Sequence, residues 1–342
     1  MTQRSGPPRA LITGITGMVG SHLADYLLAH TDWEIVGLTR WRSPMDNIEH
    51  LVPRINDGDR LSLVEGDLRD SLSLQRAIDV ARPDYVFHLA AQSYPRVSFD
   101  APVETLEPNV NGTARLLECL RLRPDLSPVV HVCSSSEVFG RVPREKLPID
   151  ETCSFHPASP YAISKVGTDL LGRYYGEAYG MKTVTTRMFT HTGPRRGDVF
   201  AESTFAKQIA MIEAGHIPPV VRTGNLDSLR TWADVRDAVR AYHMLVTVNP
   251  IAGEVYNIGG TYSCSVGEML QTLLSFAKTR DIAVETDPER LRPIDADLQV
   301  PDTAKFRAHT GWTPQIPFEQ TMRDLLNYWR DRIARGGLFL QR

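Results

Sequence analysis

The chain has 342 residues, of which 42% are hydrophobic and 23% charged, with a formal net charge of -3. This is ordinary globular composition, long enough for about two domains. It lacks the global basic field that draws nucleic acid or an anionic membrane. No apolar run approaches the roughly 20 residues that span a bilayer, and the stretch Met1–Gly14 lacks the apolar core of a signal peptide. The expected compartment is the cytoplasm. Cys119, Cys133, Cys153 and Cys264 show neither CxxC spacing nor a His partner at metal-ligand distance; they read as reduced thiols, and no metal site is expected.

In chain order, Ala10–Thr13 is a short apolar run followed at once by glycines, and Gly20–Leu28 carries a helical apolar pattern. Further strands are predicted at Trp33–Leu38, Leu61–Val64, Tyr85–Ala90 and Val129–Cys133. Helical patterns cover Ser73–Ala81, Val103–Leu122 and Ile163–Tyr179. Apolar strands alternating with helices predict an α/β fold with a doubly wound parallel sheet, covered on both faces. Beyond Phe189 the pattern loosens, with punctuation at Gly193–Pro194, Pro218–Pro219, Pro250 and Gly259–Gly260. Residues 1–189 read as a dinucleotide-binding domain and 190–342 as mainly a smaller, mixed α/β substrate domain. Segments near 225–260 are candidates to return to the first domain: Glu254–Ile258 is strand-like and Thr231–Leu245 helix-like.

The segment Gly14-Ile15-Thr16-Gly17-Met18-Val19-Gly20 follows the first strand and opens a helix. Glycines let the backbone turn tightly and approach a pyrophosphate, whose charge is favoured at a helix N-terminus. The spacing is GxxGxxG, and a lone triplet also fits an ordinary strand–helix turn; its place in the first unit of an alternating chain favours a dinucleotide. An acid at the end of the second strand would pair with the ribose hydroxyls of NAD. The chain instead reads Leu38-Thr39-Arg40-Trp41-Arg42-Ser43. Arg40 and Arg42 suit the 2′-phosphate of NADP, and also fit two solvated loop arginines. Asp67-Leu68 closes the third strand, where a side chain and backbone meet adenine; a plain turn aspartate fits equally.

Tyr161 and Lys165 stand four residues apart, on one face of a helix. A phenol is a poor base at neutral pH, and a nearby ammonium lowers its pKa. The pair follows a strand that ends in Cys133-Ser134-Ser135-Ser136-Glu137, at the strand end where such sheets bind ligands. Ser135 is placed to hydrogen-bond a reacting oxygen. Glu137 supplies a second acid/base group, which one-step ketone reduction does not need and a dehydration does; it also fits a loop carboxylate that caps a turn.

Together these segments resemble the extended short-chain dehydrogenases/reductases that act on nucleotide sugars, and most closely the GDP-mannose 4,6-dehydratase family. The resemblance runs over nearly the whole chain. Besides Gly14–Gly20 it rests on Ala90–Ser93 with Val97–Asp100, Ser134–Gly140, Gly193–Gly197, Gly224–Asp227 with Arg230, and Arg292-Pro293 with Asp297-Leu298. It implies a Rossmann-type sheet and tightly bound NADP. Cofactor contacts are implied at Gly14, Thr16, Gly17, Met18, Val19, Gly20, Arg40, Arg42, Asp67, Leu68, Leu89, Ala90, Ala91, Ser93, Tyr161, Lys165, His191 and Arg196. Substrate contacts are implied at Ser93, Ser135, Ser136, Glu137, Thr190, Asn225, Arg230 and Arg292.

Ser135, Glu137, Tyr161 and Lys165 form the implied catalytic set. The implied reaction converts a GDP-hexose or GDP-heptose to the 4-keto-6-deoxy sugar. The resemblance also implies a homodimer or homotetramer built through Val103–Leu122 and Ile163–Tyr179, helices that equally fit a simple cover for the sheet. In a tetramer the loop at Arg40–Arg54 would reach a neighbouring subunit. The chain departs from the family at Thr190, where Asn is usual, near Thr204, where the family's nucleotide-contacting lysine is absent, and at Phe139, where Tyr is usual. Phe205–Ile209 looks more like the sister reductases of GDP-4-keto-6-deoxymannose, which leaves reduction, or epimerisation on the same scaffold, as the alternative.

Overall fold

The structure, a computed structural model, describes residues 6–291 and 298–336. Its main sheet comprises β1 (Arg9–Thr13), β2 (Glu34–Thr39), β3 (Leu61–Glu65), β4 (Tyr85–His88), β5 (Val129–Cys133) and β6 (Thr183–Met188). The chain then passes through β7 (His191–Thr192), β8 (Val220–Thr223) and β9 (Leu229–Asp234) before β10 (Glu254–Ile258) rejoins the main sheet. The order is β10-β6-β5-β4-β1-β2-β3, with every neighbour parallel. The order turns at β1 and β4, so the loops after these two strands diverge and leave a crevice at their carboxyl ends. Beyond it, β11 (Tyr262–Ser265) pairs antiparallel with β9, β12 (Ala283–Thr286) parallel with β8, and β13 (Leu298–Gln299) parallel with β9.

The helices of the first half are α1 (Met18–His30), α2 (Val52–Asp57), α3 (Ser71–Ala81), α4 (Pro95–Asp100), α5 (Pro102–Leu106), α6 (Gly112–Arg121) and α7 (Pro160–Tyr179). The second half adds α8 (Ala201–Glu213), α9 (Val235–Thr247), α10 (Val266–Ser275), α11 (Ala304–Thr310) and α12 (Phe318–Ala334). One face of the sheet buries α1 and α9 through Leu23, Leu27, Val239 and Tyr242. The other buries α3, α6 and α7 through Ile78, Leu116, Leu120 and Tyr175. A separate core joins α8, α10 and α12 to β9 through Ile209, Leu270, Leu325 and Trp232. Among the described residues, no helix is long and apolar enough to cross a membrane.

The predicted strands and helices are present, with four informative differences. The fourth strand stops at His88, because Thr13 Oγ1 takes the N–H groups of Leu89 and Ala90 at 3.1 Å each. The helix expected over Val103–Leu122 is interrupted by a π-turn at Glu107–Asn111; Pro108 has no N–H to give the α-ladder, and the wider turn absorbs the gap. The segment read as helix from Thr231 is strand to Asp234, whose carboxylate caps α9 by accepting from Arg236 N at 2.8 Å. Finally, β6 reads Thr-Val-Thr-Thr-Arg-Met and carries no apolar run, yet it is buried along its whole length.

That burial depends on one ion pair. Arg187 of β6 and Asp169 of α7 are almost wholly enclosed and meet bidentately at 2.8 and 3.0 Å. Arg187 also donates to Glu151 O at 2.8 Å and lies over the Phe155 ring. The pair satisfies both charges and ties the middle of α7 to the sheet. Asp169→Ala leaves Arg187 buried without its partner. It is expected to cost about 3–5 kcal/mol of unfolding free energy, read by urea titration; a loss under about 1 kcal/mol contradicts this account.

Candidate active site

The crevice is a cleft of about 1340 Å³ at the carboxyl ends of β1, β4, β5 and β6, closed on the far side by the 190–230 segment. Its floor begins at the glycine loop. Gly14 has φ +76, and a Cβ there would lie 2.9 Å from the Ala90 backbone. A Cβ on Gly20 would lie 2.3 Å from Gly14 O. Both glycines are therefore demanded by close backbone approach. Gly17 is the N-cap of α1 and offers no side chain to the free N–H groups of the first turn. Those donors, at the positive end of the helix dipole, suit a phosphate anion. Thr16, Met18 and Val19 line the same floor, and Asn47 Nδ2 holds Thr16 O at 3.0 Å.

A buried relay sets the opposite wall. Thr13 Oγ1 accepts from Leu89 and Ala90, so its own hydrogen goes to His88 Nδ1 at 3.0 Å. His88 Nε2 then donates to Thr113 Oγ1 at 2.9 Å. Burial, helped by Lys165, pushes His88 down to about 3, so the ring is neutral, as this arrangement requires. The relay fixes Leu89, Ala90 and Ala91 as a rigid edge of the cleft, followed by Ser93.

At the outer end, Arg40 lines the cleft directly after β2, with its backbone N–H donated to Ser43 Oγ at 3.1 Å. Asp67 and buried Leu68 follow β3. Arg42 stands apart from the cleft, in an adjoining recess with Trp41 and Arg76.

At the inner end, Ser135 caps a short 3-10 turn over Ser136–Phe139, accepting from Glu137 N at 3.2 Å. This turn places Ser135, Ser136 and half-buried Glu137 on the cleft wall. Ser159 caps α7 by accepting from Ala162 N at 3.0 Å, and Pro160 occupies the first helical position. Tyr161 therefore opens the helix facing the cleft, with Lys165 one turn further in.

The electrostatics differ from the sequence expectation. Lys165 Nζ donates to Cys133 O at 2.8 Å and lies 5.9 Å from the Tyr161 ring centre. Burial pushes the Tyr161 phenol well above its ordinary value, while Ser135 and then Arg196 pull it back. Burial likewise lowers the Lys165 ammonium. Desolvation dominates at Tyr161, and the Lys165 ammonium is turned to a backbone carbonyl.

The far wall carries Thr190, His191 and Arg196. His191 Nδ1 meets Phe189 O at 3.1 Å, and burial, with Arg196 adding, brings it to about 4. Arg196 pairs with buried Glu202 at 2.9 Å and stacks 3.4 Å from the centre of the Phe200 ring. Phe200 in turn meets Tyr94 edge-on across the cleft at 5.7 Å. Asn225, which donates to Ser228 Oγ at 3.2 Å, and Arg230 line the end opposite Arg40. Arg292 lies outside the described residues. Thus the cleft gathers every other predicted site residue except Arg42. The sequence reading missed Tyr94, Phe200, Glu202 and Arg69, all in the cleft lining. None belongs to a periodic motif, and only the buried acid Glu202 so close to Arg196 offered a signal.

The family model described as GDP-mannose 4,6 dehydratase matches residues 11–325. The chain belongs to this family. It is 31% identical to a GDP-mannose 4,6-dehydratase of Vibrio cholerae, over 93% of this chain and 92% of that one. It is also 32% identical to a GDP-6-deoxy-D-mannose reductase of Pseudomonas aeruginosa, over 95% of this chain and 98% of that one. The solved structure of RMD from Pseudomonas aeruginosa complexed with NADPH superposes with a TM-score of 0.80 at 30% identity, covering 95% of this chain and 99% of that one. The chain is thus similar to a dehydratase and to a reductase at about the same identity.

The position of Ser135 generates a pH prediction. Its contact lowers the Tyr161 pKa, so Ser135→Ala should raise it further. If the phenolate is the active form, the acid limb of kcat/KM moves to higher pH in the variant. A limb that stays in place removes Ser135 from the phenol's environment.

Proposed function

We propose that this protein is an NADP-dependent nucleotide-sugar 4,6-dehydratase that acts on a GDP-hexose or GDP-heptose in the cytoplasm. The observation that carries this reading is the match at Gln92–Asp100 and Gly193–Gly197, supported by the Glu137 carboxylate, which lines the same cleft as Ser135 and Tyr161. One-step ketone reduction does not need this carboxylate, but the sister reductases can also carry a Glu after the serines, so Glu137 alone does not separate the two activities. Four free thiols support a reducing compartment. Arg40 at the end of β2, where an NAD site would hold an acid, supports NADP, as does the NADPH complex of the Pseudomonas relative. Gly14, Gly17 and Gly20 provide the cradle for its pyrophosphate.

The bound dinucleotide would supply a reversible hydride acceptor. Tyr161, as phenolate, takes the proton of the C4 hydroxyl while Ser135 holds that oxygen. Ser135 and Arg196 both favour the phenolate. The new C4 carbonyl acidifies the C5 hydrogen, which Glu137 removes. Glu137 then gives that proton to the C6 hydroxyl, which leaves as water. Once hydride has been returned at C6, the proton that restores C5 balances the one Tyr161 took. The sum is loss of one water with no net redox change. Arg230 and Asn225 are assigned to the nucleoside diphosphate, for which a forked guanidinium is suited.

Incubation with GDP-mannose and a catalytic amount of NADP⁺ should build up a 4-keto-6-deoxy sugar without net NADPH formation. Tyr161→Phe should lower kcat on the order of 10²–10⁴-fold and spare dinucleotide binding. Unchanged turnover removes Tyr161 from the mechanism. A second reading, reduction of a GDP-4-keto-6-deoxy sugar, is favoured by the Pseudomonas reductase relative and by Phe205–Ile209. Stoichiometric consumption of NADPH with such a keto sugar, and no product from GDP-mannose, would replace the first reading with the second.

We further propose that the chain works as a homo-oligomer. Val103 of α5 and Ile163, Leu170 and Tyr174 of α7 are large apolar side chains left exposed on the helices beside the cleft. Burial against a second copy would remove them from water. Light scattering should report at least a dimer at micromolar concentration, and a clean monomer overturns this.

A further inference from the structure

The first turn of α8 carries a carboxylate that has no step in the dehydration. Glu202 is 4% exposed and lines the cleft. An enclosed carboxylate needs a partner, and Arg196 supplies it: Arg196 Nε donates to Glu202 Oε1 at 2.9 Å. The guanidinium is held from other sides as well. It stacks 3.4 Å from the centre of the Phe200 ring, and Phe200 rests edge-on against Tyr94. Ser203 Oγ donates to Arg196 O at 2.7 Å, and Trp329 Nε1 of α12 donates to Ser203 Oγ at 2.8 Å. The neighbouring cations have acids of their own: Arg195 meets Asp25 at 2.7 Å, and Lys207 meets Asp198 at 2.8 Å.

We propose that Glu202 is a positioning residue for the Tyr161 phenol, acting through Arg196: it fixes the guanidinium on the far wall and balances part of its charge, so that this wall helps set how readily the phenol gives up its proton. The inference rests on the reading of Tyr161 as the group that moves a proton. The charged and titratable groups about the phenol are Cys133 at the end of β5, Glu137 on the 3-10 turn, Lys165 on α7, Tyr242 on α9, and His191 and Arg196 on the far wall. Burial acts most strongly against the phenolate; Ser135 favours it, Cys133 and Glu137 oppose it, and Arg196 favours it. Lys165 is committed to Cys133 O, and His191 is kept neutral by burial. Glu202 thus does two things that pull in opposite directions. It holds the cation that favours phenolate, and its own charge weakens that cation's field. Substitution separates the two: Glu202→Gln keeps an acceptor for Arg196 Nε and loses the charge, whereas Glu202→Ala loses both.

The test is the pH profile of kcat/KM for the NADP-loaded protein with GDP-mannose, taken beside the Kd for NADP⁺. In dehydration Tyr161 acts as base and sets the acid limb. Glu202→Gln is expected to move that limb down by about half a pH unit, because the Arg196 charge is no longer balanced. Glu202→Ala is expected to move it up by about as much, with a loss of about threefold in kcat/KM below the limb, because the guanidinium leaves its pose. In an Arg196→Ala background, Glu202→Gln should leave the limb where it is. If the protein instead reduces a GDP-4-keto-6-deoxy sugar, Tyr161 is the acid and the same shifts fall on the basic limb. A limb that stays in place in both variants overturns the inference. So does one that moves the same way in both, and so does a shift that survives Arg196→Ala. A change confined to the Kd for NADP⁺ also overturns it, since the pair would then serve only the dinucleotide. Full turnover in Tyr161→Phe would overturn the reading of Tyr161 itself, and this inference with it.

Discussion

The arrangement depends on how the start of α7 is held against the end of β5. Lys165 Nζ donates to Cys133 O, and Ser134 Oγ donates back to Lys165 O at 3.1 Å. These two bonds cross-link one turn of the helix to the last residues of the strand in both directions. They fix the rotation of α7, and that rotation decides whether Tyr161 faces the cleft or the core. Lower down, the Arg187–Asp169 pair holds the same helix to β6. With α7 locked, the phenol, the hydroxyl of Ser135 and the carboxylate of Glu137 share one space.

This locking has a chemical consequence. A phenol this deeply buried resists ionisation, and Lys165, committed to a backbone carbonyl, is not aimed at it. Burial, Cys133 and Glu137 act against the phenolate, while Ser135 and Arg196 favour it. The neutral states of His88 and His191, imposed by burial, serve geometry: each holds a strand end or loop in place without adding charge near the phenol.

Much of this was legible in the sequence, for identifiable reasons. The strands that are covered on both faces, such as β1 and β5, announce themselves as short apolar runs. The glycine loop and the Tyr161–Lys165 spacing are local patterns, and each maps onto one strand–helix junction. What was hidden shares a different character. β6 is polar in sequence, and its burial makes sense only with Asp169, 18 residues away on another element. The break in the helix after Leu106 turns on one proline, and the length of β4 on a threonine from β1. The role of Glu202 depends on which partner the folded chain places beside it. Periodicity reports which faces are buried; it does not report which polar groups satisfy one another there.

The central claim is that Tyr161 and Glu137 serve one sugar in succession, so that a hydrogen leaves C4 and returns within the same molecule at C6. Deuterium placed at C4 of GDP-mannose tests it most directly. The account predicts that mass spectrometry and NMR will find the label at C6 of the 4-keto-6-deoxy product, retained through turnover in the presence of excess unlabelled NADPH. Label lost to the free dinucleotide pool, or left at C4, would contradict it.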